Sequence, residues 1–266
     1  MGDLTAADSH FAFGKNWRSF AGLIDDERIA NSDRGVQRLF PDGALNGKTV
    51  IDIGCGSGLP ALSLLRAGAA HVTCIDIDAD SVATARDTLE RHAPAAAWSA
   101  AVTSVFEASG RYDAVYSWGV LHHTGDMWRA IDKAGAMVAP GGILAIAIYA
   151  ETPLCGVWKV EKAIYARASA PVQKLIRILF GVWRTVISGL ATGFRKRPPT
   201  DGRRGMERDH DIHDWLGGYP YESATPEEID AFLTAREFSA LRVLPFGGRR
   251  HGLFGSACDE YVYRRA

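Results

Sequence analysis

Val50-Ile51-Asp52-Ile53-Gly54-Cys55-Gly56-Ser57-Gly58 is the stretch whose reading decides the fold. Its first half belongs to an apolar run from Lys48 to Ile53, the pattern of a strand covered on both faces. Three alternating glycines follow, and Leu59-Pro60-Ala61 then opens a helical pattern. Proline is well tolerated at the start of a helix because the N–H it lacks would have no partner there. Glycines between a strand and a helix let the backbone turn tightly and approach a ligand closely. The spacing here is Gly-x-Gly-x-Gly, whereas a dinucleotide fingerprint needs glycine at the position of Leu59. The carboxylate of Asp52 beside the loop would repel a pyrophosphate and favour an ammonium group. The competing account of these residues is a purely structural glycine turn with a capping aspartate.

Strand and helix signals continue on the C-terminal side. His71 to Ile77 reads as a second strand, with Asp76 at its end, 20 residues after Gly56. An acid in that place can accept hydrogen bonds from ribose hydroxyls. Asp78 and Asp80 compete for the role, but Asp78 is also suited to cap a helix whose apolar face is Val82, Ala85 and Leu89. A weak strand is expected near Trp98 and a clear one from Tyr112 to Leu121. Asp126 is expected to cap a helix that turns Ile131, Ala134 and Val138 inward, and Pro140-Gly141-Gly142 to turn the chain into a strand from Ile143 to Tyr149. Such alternation predicts parallel strands joined by right-handed crossovers. Thr225, Pro226 and Glu228 form a capping-box pattern ahead of Ile229, Phe232 and Leu233. Phe238–Leu244 and Glu260–Arg264 then read as two strands.

Four parts follow: an N-terminal helical arm (1–45), a core (46–150), a helical and loop insertion (151–222), and a C-terminal helix with two strands (223–266). With 266 residues and 47% apolar content the chain can build a sizeable core, and a formal net charge of -1 speaks against a generally basic nucleic-acid binder. The four cysteines form no Cys-x-x-Cys pair, so neither a disulfide framework nor a zinc site is expected. The polar opening residues lack the apolar segment of a signal peptide, and no run approaches the ~18 apolar residues of a membrane span. A cytoplasmic protein is the expectation.

Residues 50–58, Ile75-Asp76, and Tyr112-Asp113-Ala114-Val115-Tyr116-Ser117-Trp118-Gly119-Val120-Leu121-His122-His123 together resemble the class I S-adenosylmethionine-dependent methyltransferases, most nearly those of ubiquinone and menaquinone biosynthesis. The resemblance covers about residues 46–150. It implies an α/β Rossmann-like three-layer sandwich with a seven-stranded, mostly parallel sheet whose last strand is antiparallel, and S-adenosyl-L-methionine as cofactor. It further implies that Asp52, Gly54, Cys55, Gly56 and Gly58 hold the methionine end, that Asp76 holds the ribose, and that Ile77 packs on the adenine. Family members usually carry an aspartate after the third strand. This chain has Ala101 to Glu107 there, so Ser104 and Val105 are assigned to the adenine edge. Trp118 and Gly119 would lie beside the cofactor.

Outside these motifs the readings stay open. The aromatic-rich stretch Phe11 to Phe20 resembles arms that fold over the cofactor, which makes Asn16 and Trp17 cofactor candidates; the alternative is a helix packing Trp17 and Phe20 into the core. His122 and His123 follow a strand end, where ligands of open α/β sheets sit, so either is a candidate general base. The alternative is a histidine that bonds the loop backbone. His210 is a third catalytic candidate, and Asp211, His213, Tyr219 and Tyr221 are candidates for the wall of a small-molecule acceptor site. No metal is expected, because no known ligand spacing is matched and the transfer needs none. Val172, Leu175, Ile176, Leu179, Trp183, Val186, Ile187 and Leu190 mark one helical face, followed by Arg195-Lys196-Arg197. The favoured expectation is a lid packed on the core; a peripheral membrane contact through 172–197 is the alternative. Two rivals to methyl transfer are a nicotinamide-dependent oxidoreductase, disfavoured by Leu59 and Asp52, and a non-catalytic cofactor-binding protein.

Overall fold

The computed structural model of the chain describes residues 17–18, 22–192, 215–245, 252 and 257–266, with the backbone alone over 184–192. Strands β1 (Thr49–Ile53), β2 (His71–Asp76), β3 (Trp98–Val102), β4 (Tyr112–Trp118), β5 (Val138–Tyr149), β6 (Phe238–Leu244) and β7 (Cys258–Arg265) form one sheet in the order β3-β2-β1-β4-β5-β7-β6. β1 to β5 run parallel, and β7 lies antiparallel to both β5 and β6. This is the seven-stranded, mostly parallel Rossmann-like sheet implied by the sequence. The strand order reverses between β1 and β4, which opens a crevice at their carboxyl ends, where ligands of open α/β sheets bind.

Side-chain alternation along the central strands produces two cores. Along β5, Leu144, Ile146 and Ile148 enter one, with Ile51 and Val115 from β1 and β4. Helices α4 (Met127–Ala136) and α7 (Pro226–Thr234) close that side through Ile131, Ala134, Ile229 and Leu233. Ile143 and Ala145 enter the other core with Val50, Ala114 and Tyr116. Helices α1 (Asp26–Leu39), α2 (Leu59–Arg66) and α3 (Ala79–His92) cover it through Val36, Leu62, Ala85 and Leu89. Burial on both faces is why β1 and β5 read as nearly unbroken apolar runs.

Caps agree with the sequence in two places and differ in a third. Asp78 accepts from the N–H groups of Asp80 and Ser81, and Thr225 and Glu228 complete a reciprocal capping box. Asp126 makes no side-chain cap; the Met127 N–H donates instead to Glu222 Oε2 at 3.0 Å, so a distant residue supplies the acceptor. Three boundaries also differ. β4 ends at Trp118, because Gly119 takes a φ of 75° and Leu121–His123 then form a 3-10 turn. Val138 belongs to β5, where it pairs with Tyr112. Pro140-Gly141-Gly142 consequently bulges inside β5, between the Tyr112–Val138 and Ala114–Ile143 pairings, and does not precede the strand.

Two further helices, α5 (Cys155–Arg167) and α6 (Ala170–Thr192), pack on each other beyond β5. The face of α6 differs from the expected one. Ile176, Phe180 and Trp183 turn toward Trp158, Tyr165 and Trp215, whereas Val172, Leu175 and Leu179 are exposed. The helix is apolar around most of its circumference, so hydrophobic period alone did not select the packed side.

Candidate active site

The glycine loop leaves β1 with Gly54, Gly56 and Gly58 all at positive φ (76°, 50° and 76°). Space adds to the backbone constraint at two of them. A Cβ on Gly54 would collide with the Val120 side chain beyond β4, and one on Gly58 would lie 2.7 Å from Ala85 Cα of α3. Gly56 sits beneath the Trp17 indole, which a Cβ there would meet at 3.0 Å. The arm therefore does reach the loop. Asn16 lies outside the described residues.

Asp76 closes the loop from the β2 side. Its Oδ2 accepts from the Gly56 N–H at 3.1 Å and its Oδ1 from the Asp78 N–H at 3.0 Å. Burial pushes the carboxyl up from its ordinary 3.8 to about 6, against the opposing pull of those N–H groups. Ile77, next in line, is partly exposed at the rim. Asp52 is buried beneath the loop, 1% exposed. The side chain of Cys55 is turned into the core against Cys74, and that contact together with burial raises its thiol well above the usual range. Past β3, the Thr103 N–H donates to the Asp76 carbonyl at 2.9 Å, and Ser104 begins a turn in which its Oγ accepts from the Phe106 N–H. Val105 is buried in the core. At the end of β4, Trp118 donates its indole N–H to Glu260 Oε1 at 2.8 Å, while a Cβ on Gly119 would meet nothing within 4 Å. Space is thus open beside Gly119.

Two histidines follow in the 3-10 turn just beyond Gly119. His122 is fully buried, stacks 3.9 Å from the Tyr149 ring, and accepts the Tyr149 N–H at Nδ1. Burial, with help from nearby His123 and Lys162, holds its pKa well below the ordinary value, so it is neutral. His123 is half-buried, and its Nδ1 lies 2.7 Å from the Pro220 carbonyl. A carbonyl can only accept, so Nδ1 carries a proton, and in the neutral form of the ring the lone pair is on Nε2. The same segment is tied down twice more: the Glu222 N–H donates to the His122 carbonyl, and the Ala224 N–H to the Tyr149 carbonyl, both at 3.1 Å. Tyr221 is buried, with its hydroxyl 3.2 Å from Cys155 Sγ and its ring 5.1 Å from Tyr149. Tyr219 lies under the Arg167 guanidinium of α5. His210, Asp211 and His213 lie outside the described residues. Among the described residues no three histidine, cysteine, aspartate or glutamate side chains gather in a way that could hold a metal ion.

One residue of this region was missed from the sequence. Lys162 on α5 is completely buried; its Nζ donates to the Trp215 carbonyl and lies 3.7 Å from the centre of the Trp215 ring, 5.5 Å from that of Tyr221 and 5.8 Å from that of Tyr149. Desolvation lowers it to about 7, although neighbouring Glu161 opposes the shift. The available signal was a lysine between Trp158 and Tyr165 at helical spacing, on what is otherwise an aromatic stripe.

A methyltransferase-domain family model matches residues 24–185, more than half of the chain. An uncharacterized protein of Synechococcus sp. is 29% identical over 61% of this chain and 40% of its own length. An uncharacterized methyltransferase of Mycobacterium bovis is 36% identical over 43% of this chain and 57% of its own. The chain therefore spans about half the length of these curated relatives. Among solved structures, magnesium protoporphyrin IX methyltransferase from Synechocystis PCC 6803 with bound S-adenosylhomocysteine superposes with a TM-score of 0.57 over 95% of this chain and 93% of that one, at 18% identity. That likeness is one of fold. The family match, on a sheet whose carboxyl edge carries the glycine loop and Asp76, decides the assignment: the chain belongs to the methyltransferase-domain family.

Proposed function

We propose that this protein transfers the methyl group of S-adenosylmethionine to a small-molecule acceptor lodged over the carboxyl ends of β4 and β5. The observation that carries the proposal is the clamp of Asp76 between the Gly56 and Asp78 N–H groups, beside the open space at Gly119. The residues fit the cofactor. Asp76 offers carboxylate oxygens at the rim for ribose hydroxyls, Ile77 an apolar surface for a base, and the β1 end, with Asp52 beneath it, favours an ammonium group over a phosphate. When bound, the sulfonium supplies an already activated methyl group. The protein must then hold the acceptor in line and keep water out.

Lining the acceptor side are His123, Tyr149 and the segment from Trp215 to Glu222, with α5 and α6 of the insertion as its cover. The base in this reading is His123, whose Nδ1 donates to the Pro220 carbonyl and whose neutral ring takes a proton on Nε2 from an acceptor hydroxyl or amine. His122, buried and neutral, positions Tyr149. Likeness of residues 50–58, 75–76 and 112–123 to quinone-biosynthesis methyltransferases, together with the aromatic lining, favours an apolar, ring-bearing acceptor. Calorimetry tests the cofactor half: S-adenosylmethionine and its demethylated product should bind, and NADH should not. For the acceptor half, His123→Ala should leave cofactor affinity nearly intact and slow label transfer from methyl-tritiated cofactor to a small-molecule extract by roughly 10²-fold. Full transfer by that variant would remove His123 from the role of base.

A further inference from the structure

Ten large apolar side chains are exposed among the described residues, and eight of them lie on α5 and α6. Val157, Val160 and Ile164 form a stripe on α5, each about three-fifths exposed. On α6, Val172, Leu175, Ile178, Leu179 and Val182 form a second, between 45% and 59% exposed. Single exposed apolar residues are ordinary on protein surfaces, but a concentration of this kind marks a contact surface. The helices do not need these residues for their own packing: Trp158, Tyr165, Ile176 and Phe180 on the opposite sides serve that purpose.

Charge identifies what the stripes face. Residues 152–200 hold nine lysines and arginines and one acid, Glu161, whereas the rest of the chain holds 21 against 30 acids, so positive charge is concentrated around these two helices. Lys159 and Lys174 are exposed beside the stripes and take part in no ion pair among the described residues. Three of the nine, Arg195-Lys196-Arg197, follow α6 directly in sequence. A second copy of the chain fits poorly, because a two-fold contact would set each basic flank against its own image. An apolar face bordered by cations has its complement in the headgroup and acyl boundary of an anionic bilayer. Among the described residues no helix is long and apolar enough to cross a membrane, which is consistent with helices lying along its surface.

We propose that the exposed apolar stripes of α5 and α6, flanked by Lys159 and Lys174, form a docking surface for membranes rich in anionic lipid. The stripes lie on the sides of α5 and α6 turned away from the aromatic cluster that these helices share with Tyr149 and Tyr221.

The test is co-sedimentation of the full chain with vesicles of phosphatidylcholine alone and of phosphatidylcholine mixed with phosphatidylglycerol. The protein should sediment with the mixed vesicles, stay in solution with the neutral ones, and be released by high salt. Leu175→Glu combined with Leu179→Glu should lower the partition coefficient by roughly 100-fold or more, about tenfold for each apolar side chain withheld from the interface. Both leucines are exposed, so the fold should survive, and unchanged binding of S-adenosylmethionine by the double variant verifies this. Failure to sediment with anionic vesicles, or equal sedimentation of wild type and variant, would overturn the proposal. So would a wild-type dimer in sedimentation velocity that the double variant abolishes, which would assign the face to a second copy. Absence of cofactor binding with vesicle binding retained would count against the transfer reading and leave this one standing.

Discussion

Asp76→Asn is the sharpest probe of the cofactor site. In the free protein the Asp76 carboxylate accepts two backbone N–H groups, from Gly56 at 3.1 Å and Asp78 at 3.0 Å. An asparagine keeps one oxygen and turns an N–H₂ toward the other donor, so at most one of these bonds survives and a ribose hydroxyl loses a charged acceptor. Hydrogen bonds to charged groups contribute about 1.5–3 kcal/mol, so affinity for S-adenosylmethionine should fall roughly 10- to 150-fold. The pH dependence is a second signature. Burial raises Asp76 from 3.8 to about 6, an unfavourable ionisation of about 3 kcal/mol. The raised value means that the free fold favours the protonated acid; its contribution to stability is present below pH 3.8 and lost as pH rises through about 6. The cofactor's hydroxyls favour the ionised form instead, so binding below pH 6 must expel a proton. Wild-type affinity should therefore weaken as pH falls through about 6, by up to roughly tenfold per unit, while Asp76→Asn shows a flat profile. Isothermal titration calorimetry from pH 5 to 8, in buffers of differing ionisation heat, measures the affinity and the proton release together. A variant that binds within threefold of wild type and keeps its pH dependence would refute the reasoning.

Other perturbations reach different parts of the fold. Gly54→Ala should destabilise the protein by at least ~1–2 kcal/mol from its left-handed backbone alone, with the Val120 collision added, and thermal unfolding should show a lowered Tm alongside lost cofactor binding. Lys162→Met removes a buried base whose pKa is lowered from 10.5 to about 7. A lowered base contributes stability that is present above its unfolded value and lost as pH falls through about 7, so the stability difference should move in favour of wild type as pH rises from 7 to 9; urea unfolding at several pH values would expose a flat difference.

Local chemistry made much of this protein legible in advance. The β1–loop–α2 unit could be read because three constraints coincide within residues 48–60: a doubly buried strand, glycines at positions that need positive φ, and a proline where a helix begins. Asp78 and Thr225 were readable as caps because a cap bonds only its neighbours in sequence. The candidate cofactor residues Asp52, Gly54, Gly56 and Asp76 were singled out for the same reason, since they sit at strand ends whose places in the sheet follow from strand–helix alternation. Contacts between distant segments could not be read this way. Glu222 capping α4 in place of Asp126, Pro220 fixing the tautomer of His123, and Val120 crowding Gly54 are pairings across tens of residues, and no local pattern encodes them. Lys162 shows the limit most clearly: a lysine on an amphipathic helix is ordinarily solvated, and the convergence of Tyr149 from β5 with Trp215 and Tyr221 from a distant segment of the chain buries it. The facing of α6 was undecided in sequence because the helix is apolar on most sides. Tertiary packing chose Ile176, Phe180 and Trp183 for the interior and left Val172, Leu175 and Leu179 outside, since the aromatic rings of α5 and Trp215 supply a complementary surface on that side.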